Sequence, residues 1–217
     1  IMAAGMVVHI PPQYLSNIIG ITSALAIVAL LINLSASERG WKHPYILAAP
    51  LLLASSRTFT AWSTGGLATQ FFTLICFAAT LRFAQERESH GAPWGSGLLL
   101  ILATLTRPEG GILTAVLGCF FLTDVIQQRR KPIHFLGWCG AWFGIIGAHF
   151  IWRYWAYGLW LPNTFYAKVN GAWLEQSSNY FWLFHKDYGV GWYAWMLFIP
   201  VVLRRSYLDR ILLASIC

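Results

Sequence analysis

Two opposite charges stand between apolar segments in residues 106–111, which read Thr-Arg-Pro-Glu-Gly-Gly. Arg107 carries a planar guanidinium that can bind a phosphate through two parallel hydrogen bonds. Glu109 can take a proton from a hydroxyl, orient a sugar hydroxyl, or pair with Arg107. Charges beside membrane-depth segments are costly unless they meet water, a partner or a ligand. This turn is therefore the first candidate site, and a structural Arg–Glu cap is the alternative.

The backbone of the same turn favours an anion site. Pro108 suits the first turn of a helix, and Gly110 and Gly111 permit close backbone approach. The helix that follows points its positive end at the turn, which suits a phosphate. The preceding apolar segment, Ser96–Thr106, rises only about 16 Å as a helix, which is less than the hydrocarbon layer of a bilayer. The turn is therefore expected to be recessed and to line a cavity.

A second candidate stretch covers residues 161–168, Leu-Pro-Asn-Thr-Phe-Tyr-Ala-Lys. Lys168 can contact a phosphate as a point charge. Asn163 can cap a short helix or bind a ligand, and Tyr166 can face an acyl chain or a sugar ring. An interfacial aromatic anchor whose lysine extends toward water is the alternative interpretation.

A third stretch, Trp62–Gln70, contains a Gly-Gly turn that opens a helix. Arg57 lies shortly before it and can either line the same cavity or extend to the membrane surface. Arg153, among aromatic residues, is expected to stack on a ring, and Asp124 is expected to be structural. The four cysteines lie in apolar segments without metal-ligand spacing, so no metal site is predicted.

The composition indicates a membrane protein. Of 217 residues, 57% are hydrophobic and 11% are charged, with a mean hydropathy of +0.56, whereas soluble domains carry about 25% charged residues. Twelve Trp and nine Tyr suit the two interfacial belts of a bilayer. The net charge of +7 is concentrated at the ends of apolar segments, which indicates membrane topology and not nucleic-acid binding.

The apolar segments predict an all-α fold, a polytopic transmembrane helical bundle of about seven to eight spans. An eighth span starts near Ile211, and the chain is interpreted as one transmembrane domain, residues 1–217, that belongs to a longer protein. The other predicted spans are Leu15–Leu34, Tyr45–Trp62, Thr69–Phe83, Ser96–Thr106, Gly110–Ile126, Phe135–Tyr154 and Gly191–Leu203.

The connecting segments alternate in charge. Ser63–Gly66, Arg107–Glu109 and residues 156–190 are poor in Lys and Arg for their length, and the positive-inside rule puts them on the extracytoplasmic face. The last of these is the only long connection, and its aromatic residues favour a loop or short helix at the interface. The basic connections, assigned to the cytoplasm, contain Arg39 and Lys42; Arg82 and Arg87; Arg129, Arg130 and Lys131; and Arg204, Arg205 and Arg210.

In their order and spacing, the three stretches resemble the bacterial polytopic glycosyltransferases of the GT-C superfamily, most closely the branch with mycobacterial terminal arabinofuranosyltransferases. The matching residues are Trp62 with Gly66–Thr69, then Thr106–Gly110, then Pro162–Lys168. The resemblance covers most of the chain, and the last two motifs are close matches.

The resemblance implies an enzyme of the bacterial inner membrane with an extracytoplasmic active face. The donor would be a sugar on a polyprenyl phosphate, and the acceptor an extracytoplasmic glycan, lipid or protein. Glu109 would be the catalytic residue inside a matched motif. Substrate-binding roles would fall to Arg107, Lys168, Asn163 and Tyr166 of the matched motifs. Arg57 lies outside these motifs and is a further substrate-binding candidate because of its position shortly before the Gly-Gly turn. No cofactor, metal or nucleic-acid partner is implied.

Two departures from the family keep other functions open. Ala68 stands where the first motif of the family carries Glu, and the acidic residue that the family carries in the first outer loop is not present. A non-catalytic or degenerate membrane subunit that binds lipid phosphate is therefore the alternative. A transporter would also have broken helices and charges at membrane depth, but the sequence shows no inverted repeat.

Overall fold

The protein is helical throughout the part of the chain that the computed structural model describes, namely residues 9, 11–39, 46–66, 68–88, 93–160, 166 and 174–188. Within these ranges 87% of residues are helical and no strand is present, which confirms the all-α prediction. The helices with defined bounds are α1 Pro12–Arg39, α2 Ala48–Ser55, α3 Arg57–Thr64, α4 Thr69–Glu88, α5 Trp94–Thr106, α6 Gly110–Ile126, α7 Pro132–Tyr157 and α8 Leu174–Tyr188.

Two helices are long and apolar enough to cross a bilayer. They are α1, over Pro12–Ser37, and α7, over its full 26 residues. Helices α3 and α4 meet at 114° and count as a third candidate if the bent pair is one broken span. The described residues thus contain two to three candidate spans. The predicted spans Gly191–Leu203 and the one near Ile211 lie outside the described residues.

Apolar side chains on the candidate spans point outward. Leu25 of α1 is 64% exposed, and Phe143 and Trp155 of α7 are 68% and 83% exposed. Large apolar side chains exposed along a helix of this length suit contact with a membrane or another protein. Together with the length of α1 and α7, this exposure indicates a membrane protein.

The predicted span Tyr45–Trp62 is not one helix. Ser56 separates α2 from α3 with an extended backbone (φ −69°, ψ 116°), and its side-chain oxygen accepts a hydrogen bond from the Phe59 N–H at 3.5 Å. Serine competes with the helix by bonding to nearby backbone, so it caps α3 within an otherwise apolar segment. The prediction of a single helix there is wrong.

The first of two compact units covers Ile1–Ala115. Helix α1 packs on α2, α3 and α4, and α4 packs on α5. The core contains Ala79 and Phe83 of α4 and Leu100 of α5, all buried. Gly20 of α1 lies against the backbone carbonyl of Ser63 in α3, where an added Cβ would overlap the oxygen. The absence of a side chain there allows α3 to lie directly on α1.

The second unit covers Val116–Cys217. Buried Phe121 of α6 contacts Phe135 and Trp138 of α7 edge to face, at centroid distances of 5.3 and 6.0 Å. The guanidinium of Arg130 lies over the Phe121 ring. These aromatic contacts stabilise the junction between α6 and α7.

Residues 156–190 were predicted to form a long extracytoplasmic loop or a short interfacial helix. Helix α7 ends at Tyr157, with Gly158 in the left-handed conformation (φ 67°) that commonly ends helices. Helix α8 occupies Leu174–Tyr188. The Pro162–Phe165 part of the second stretch and Lys168 lie outside the described residues.

Gln70 stabilises the bend between α3 and α4 through hydrogen bonds from α4 to α3. Its side chain is buried and donates from Nε2 to the Phe59 carbonyl at 2.8 Å and to the Ser63 hydroxyl at 3.4 Å. Gln70→Leu is expected to lower the free energy of unfolding by about 2 kcal/mol, because both side-chain hydrogen bonds from α4 to α3 are lost and each contributes about 1 kcal/mol. The check is thermal unfolding in detergent beside Gln85→Leu, an exposed glutamine on the same helix. Equal stability of the two variants would contradict this role.

Candidate functional site

The Gly-Gly turn of residues 62–70 and the Arg107 turn lie at the same end of the first unit. The Gly65–Gly66 turn approaches the start of α1, since a Cβ on Gly66 would lie 3.2 Å from the Ser16 hydroxyl. Helix α4 begins directly after this turn, and Phe72 in its first turn lies beneath the guanidinium of Arg107 at 5.4 Å. Helix α4 therefore links the Gly-Gly turn to the Arg107 turn.

Arg107 terminates α5 and is held by three contacts. Its extended backbone (φ −148°, ψ 135°) caps the helix, and its N–H donates to the Ala103 carbonyl at 2.9 Å. Its guanidinium stacks on Phe72 and donates from Nη2 to Glu109 Oε1 at 3.2 Å. The side chains of Arg107 and Glu109 remain 40% and 54% exposed. The site is thus a surface-accessible cation with a neighbouring carboxylate.

Gly110 brings the start of α6 against the last turn of α5. An added Cβ would lie 2.6 Å from the Thr104 nitrogen and 2.7 Å from the Ala103 carbonyl carbon. The Thr114 hydroxyl donates to the Gly110 carbonyl at 2.9 Å and ties the first turn of α6 together. The close backbone approach predicted for this glycine is therefore present.

The start of α6 does not offer the backbone anion site that the sequence predicts. The N–H groups of Gly110, Gly111 and Ile112 each donate at 3.0 Å to the carbonyl three residues earlier in the turn. These three donors are therefore already satisfied and do not point to a ligand. A phosphate at this turn would be bound mainly by the side chain of Arg107, helped by the positive end of the helix dipole.

The other predicted site residues are only partly described. Arg57 is the first residue of α3 and is exposed; in the ranges described, no hydrogen bond or ion pair joins it to the Arg107 turn. Tyr166 has helical backbone and is 43% exposed. Asn163 and Lys168 lie outside the described residues. The structure therefore assembles Arg107 and Glu109 and leaves the second stretch as a prediction.

Arg153, Asp124 and His149 make contacts within or directly next to their own helices. Arg153 stacks on Tyr157 at 5.8 Å, as expected for a cation–π contact. Asp124 is buried, and its backbone carbonyl accepts from the Arg129 N–H at 2.9 Å. His149 contacts the rings of Phe150 and Trp152. Among the described residues, no group of three or more His, Cys, Asp or Glu side chains is placed to hold a metal.

Two residues that hold α5 in place, one beside the site and one far from it, were not found from the sequence. Phe72 supplies the face on which Arg107 rests, and one aromatic residue in an apolar segment carries no signal of that contact. Glu86, at the opposite end of α4, accepts hydrogen bonds from the backbone N–H groups of Gly95 and Ser96. Glu86 lies inside α4, several residues before α5 begins, so the sequence carried no local signal of this cap.

Comparisons of the chain with protein-family models, with curated protein sequences and with solved structures find no match. The resemblance to the GT-C superfamily therefore rests on the residues of the three motifs. The chemistry of the site has to be inferred from those residues and from the geometry around Arg107.

Proposed function

We propose that the chain is part of an integral membrane glycosyltransferase that moves a sugar from a polyprenyl-phosphate donor to an extracytoplasmic glycan, lipid or protein acceptor. The observation that carries the proposal is the Arg107 guanidinium, half exposed on Phe72 beside Glu109, at the end of an apolar helical unit. The proposed setting is the bacterial inner membrane, with seven to eight spans and an extracytoplasmic active face.

The geometry supports phosphate binding for a physical reason. When a sugar leaves a polyprenyl phosphate, negative charge grows on the phosphate, and a cation held in place beforehand stabilises it. Phe72 limits the orientations of the Arg107 side chain without blocking its hydrogen-bonding edge. Lys168 is proposed as a second phosphate contact, and Asn163, Tyr166 and Arg57 as donor contacts.

Glu109 is the proposed catalytic base. Removal of the proton from an acceptor hydroxyl requires a carboxylate within hydrogen-bonding distance of that hydroxyl. Glu109 is exposed and lies two residues from the phosphate-binding arginine. Its carboxylate can therefore lie near both the phosphate and an incoming acceptor. No cofactor is proposed.

A second candidate function is a non-catalytic membrane subunit that binds lipid phosphate. It is favoured by the Arg107–Glu109 ion pair, which is what a structural cap on the turn would form. It is also favoured by Ala68, which is exposed directly before α4. The GT-C branch that the chain resembles carries a glutamate at this position, and alanine has no carboxylate.

The test uses full-length protein in nanodiscs and a panel of polyprenyl-phosphate monosaccharides. Arg107→Ala is expected to weaken binding of undecaprenyl phosphate by about ten- to a hundredfold, because charge-assisted hydrogen bonds to the phosphate are lost. Arg129→Ala, which removes an exposed arginine after α6, should bind like wild type. Sugar transfer should fall in parallel with binding in Arg107→Ala.

The outcomes separate the two functions. Equal phosphate affinity in wild type and Arg107→Ala would overturn the phosphate site. Wild-type binding without transfer from any donor in the panel to an envelope extract would favour the non-catalytic subunit. Transfer that depends on Arg107 would support the enzyme.

A further inference from the structure

The Arg107–Glu109 ion pair is held by a single short contact on an exposed part of the turn. Only Nη2 of Arg107 and Oε1 of Glu109 approach within hydrogen-bonding distance, at 3.2 Å. Paired in this way, the guanidinium uses one of its five N–H donors. Exposed pairs of this kind contribute little to stability, so this pair can open at small cost.

The rest of the turn does not depend on the ion pair. Arg107 is held by its backbone bond to Ala103 and by the Phe72 ring. The Glu109 backbone is held by the hydrogen bond from the Ile112 N–H to its carbonyl. Opening the pair therefore requires only a rotation of the Glu109 side chain, which is more than half exposed.

A phosphate and the Glu109 carboxylate compete for the same guanidinium. A phosphate oxygen pair can take two donors of an arginine in parallel, which is stronger and better oriented than the single contact in the structure. The two anions also repel each other, since like charges a few ångströms apart disfavour joint occupancy. Occupation of Arg107 by phosphate therefore expels the carboxylate.

We propose that Glu109 is a displaceable latch: it covers Arg107 in the empty site, and the donor phosphate replaces it and releases its carboxylate toward the acceptor. This inference rests on the proposed function and adds an order to it. The donor binds first, and the carboxylate becomes available to an acceptor hydroxyl only in the loaded site. Phe72 keeps the guanidinium in place during the exchange.

The test measures binding of undecaprenyl phosphate to full-length protein in nanodiscs. Glu109→Gln removes the competing charge and is expected to tighten binding about two- to fivefold, the range that an exposed ion pair allows. Glu88→Gln makes the same change at an exposed carboxylate at the far end of α4 and should leave the affinity unchanged. Unchanged or weaker binding by Glu109→Gln, with Arg107→Ala still defective, overturns the latch and leaves the proposed function standing.

A second measurement uses the wild-type protein and does not depend on the folding of a variant. Addition of undecaprenyl phosphate should increase labelling of Glu109 by a water-soluble carbodiimide, read by mass spectrometry, while labelling of Glu88 stays constant. A constant or decreased rate at Glu109 overturns the latch. Failure of wild-type protein to bind undecaprenyl phosphate in the first assay would instead overturn the proposed function.

Discussion

Gly110→Ala is expected to lower the free energy of unfolding by about 3 kcal/mol, the upper end of the usual cost of overpacking. The new methyl group would lie 2.6 Å from the Thr104 nitrogen and 2.7 Å from the Ala103 carbonyl carbon. Both neighbours are backbone atoms of α5 and cannot rotate away. The start of α6 would have to move off α5, and Arg107 in the connecting turn would move with it.

Gly140→Ala is the matched control for this substitution. Gly140 lies within α7, where an added Cβ meets no atom within 4 Å. Alanine there should leave stability unchanged or raise it by about 0.5–1 kcal/mol, because glycine is less favourable within a helix. Thermal unfolding of both purified variants in the same detergent is the measurement. Equal stability of Gly110→Ala and Gly140→Ala would show that the two helix ends do not approach as closely as described.

The sequence could predict the helices because apolar length is a local property. Gly110–Ile126 matches α6 at both ends, and the glycine that follows Thr106–Glu109 correctly indicated a close backbone approach. The break at Ser56 could not be read from hydropathy, since one serine scarcely changes the mean over an apolar segment. The break coincides with the hydrogen bond from the Phe59 N–H to the Ser56 side chain, which caps the start of α3.

The partners of the charged residues were harder to predict. Arg107 and Glu109 are two residues apart, so their pairing was among the alternatives that the sequence offered. The stacking of Arg107 on Phe72 depends on how α4 and α5 are rotated about their axes. From the sequence alone, many other apolar residues of α4 could equally have contacted Arg107. Likewise, the first N–H groups of α6 bond within the turn, which a rule about helix dipoles does not reveal.

Glu86→Ala is expected to lower the free energy of unfolding by about 3 kcal/mol, because two backbone donors at the start of α5 lose a charged acceptor. Glu86 is 7% exposed and accepts from the Gly95 N–H at 3.0 Å and from the Ser96 N–H at 3.2 Å. Ser96 is 0% exposed, so water cannot replace the carboxylate without opening the structure. The ion pair with Arg82 adds less, since the Arg82 side chain is 55% exposed.

The same contact has a consequence for the proposed phosphate site. Helix α4 holds α5 at both ends, through Glu86 at its start and through Phe72 beneath Arg107 at its end. Loss of the first contact leaves α5 free to shift along α4, and the stacking of Arg107 on Phe72 would no longer be fixed. Glu86→Ala should therefore weaken undecaprenyl phosphate binding as well as stability, although Glu86 lies at the opposite end of α4 from Arg107.

Two further variants make this prediction specific. Glu88→Ala removes an exposed carboxylate from the same turn of α4 and should change neither thermal stability nor phosphate binding. Glu86→Gln keeps one of the two acceptor oxygens, without the charge, and should lose at least half as much stability as Glu86→Ala, because only one of the two backbone donors retains an acceptor. If Glu86→Ala unfolds at the same temperature as Glu88→Ala, the carboxylate does not hold the start of α5, and the link between the two ends of α4 fails with it.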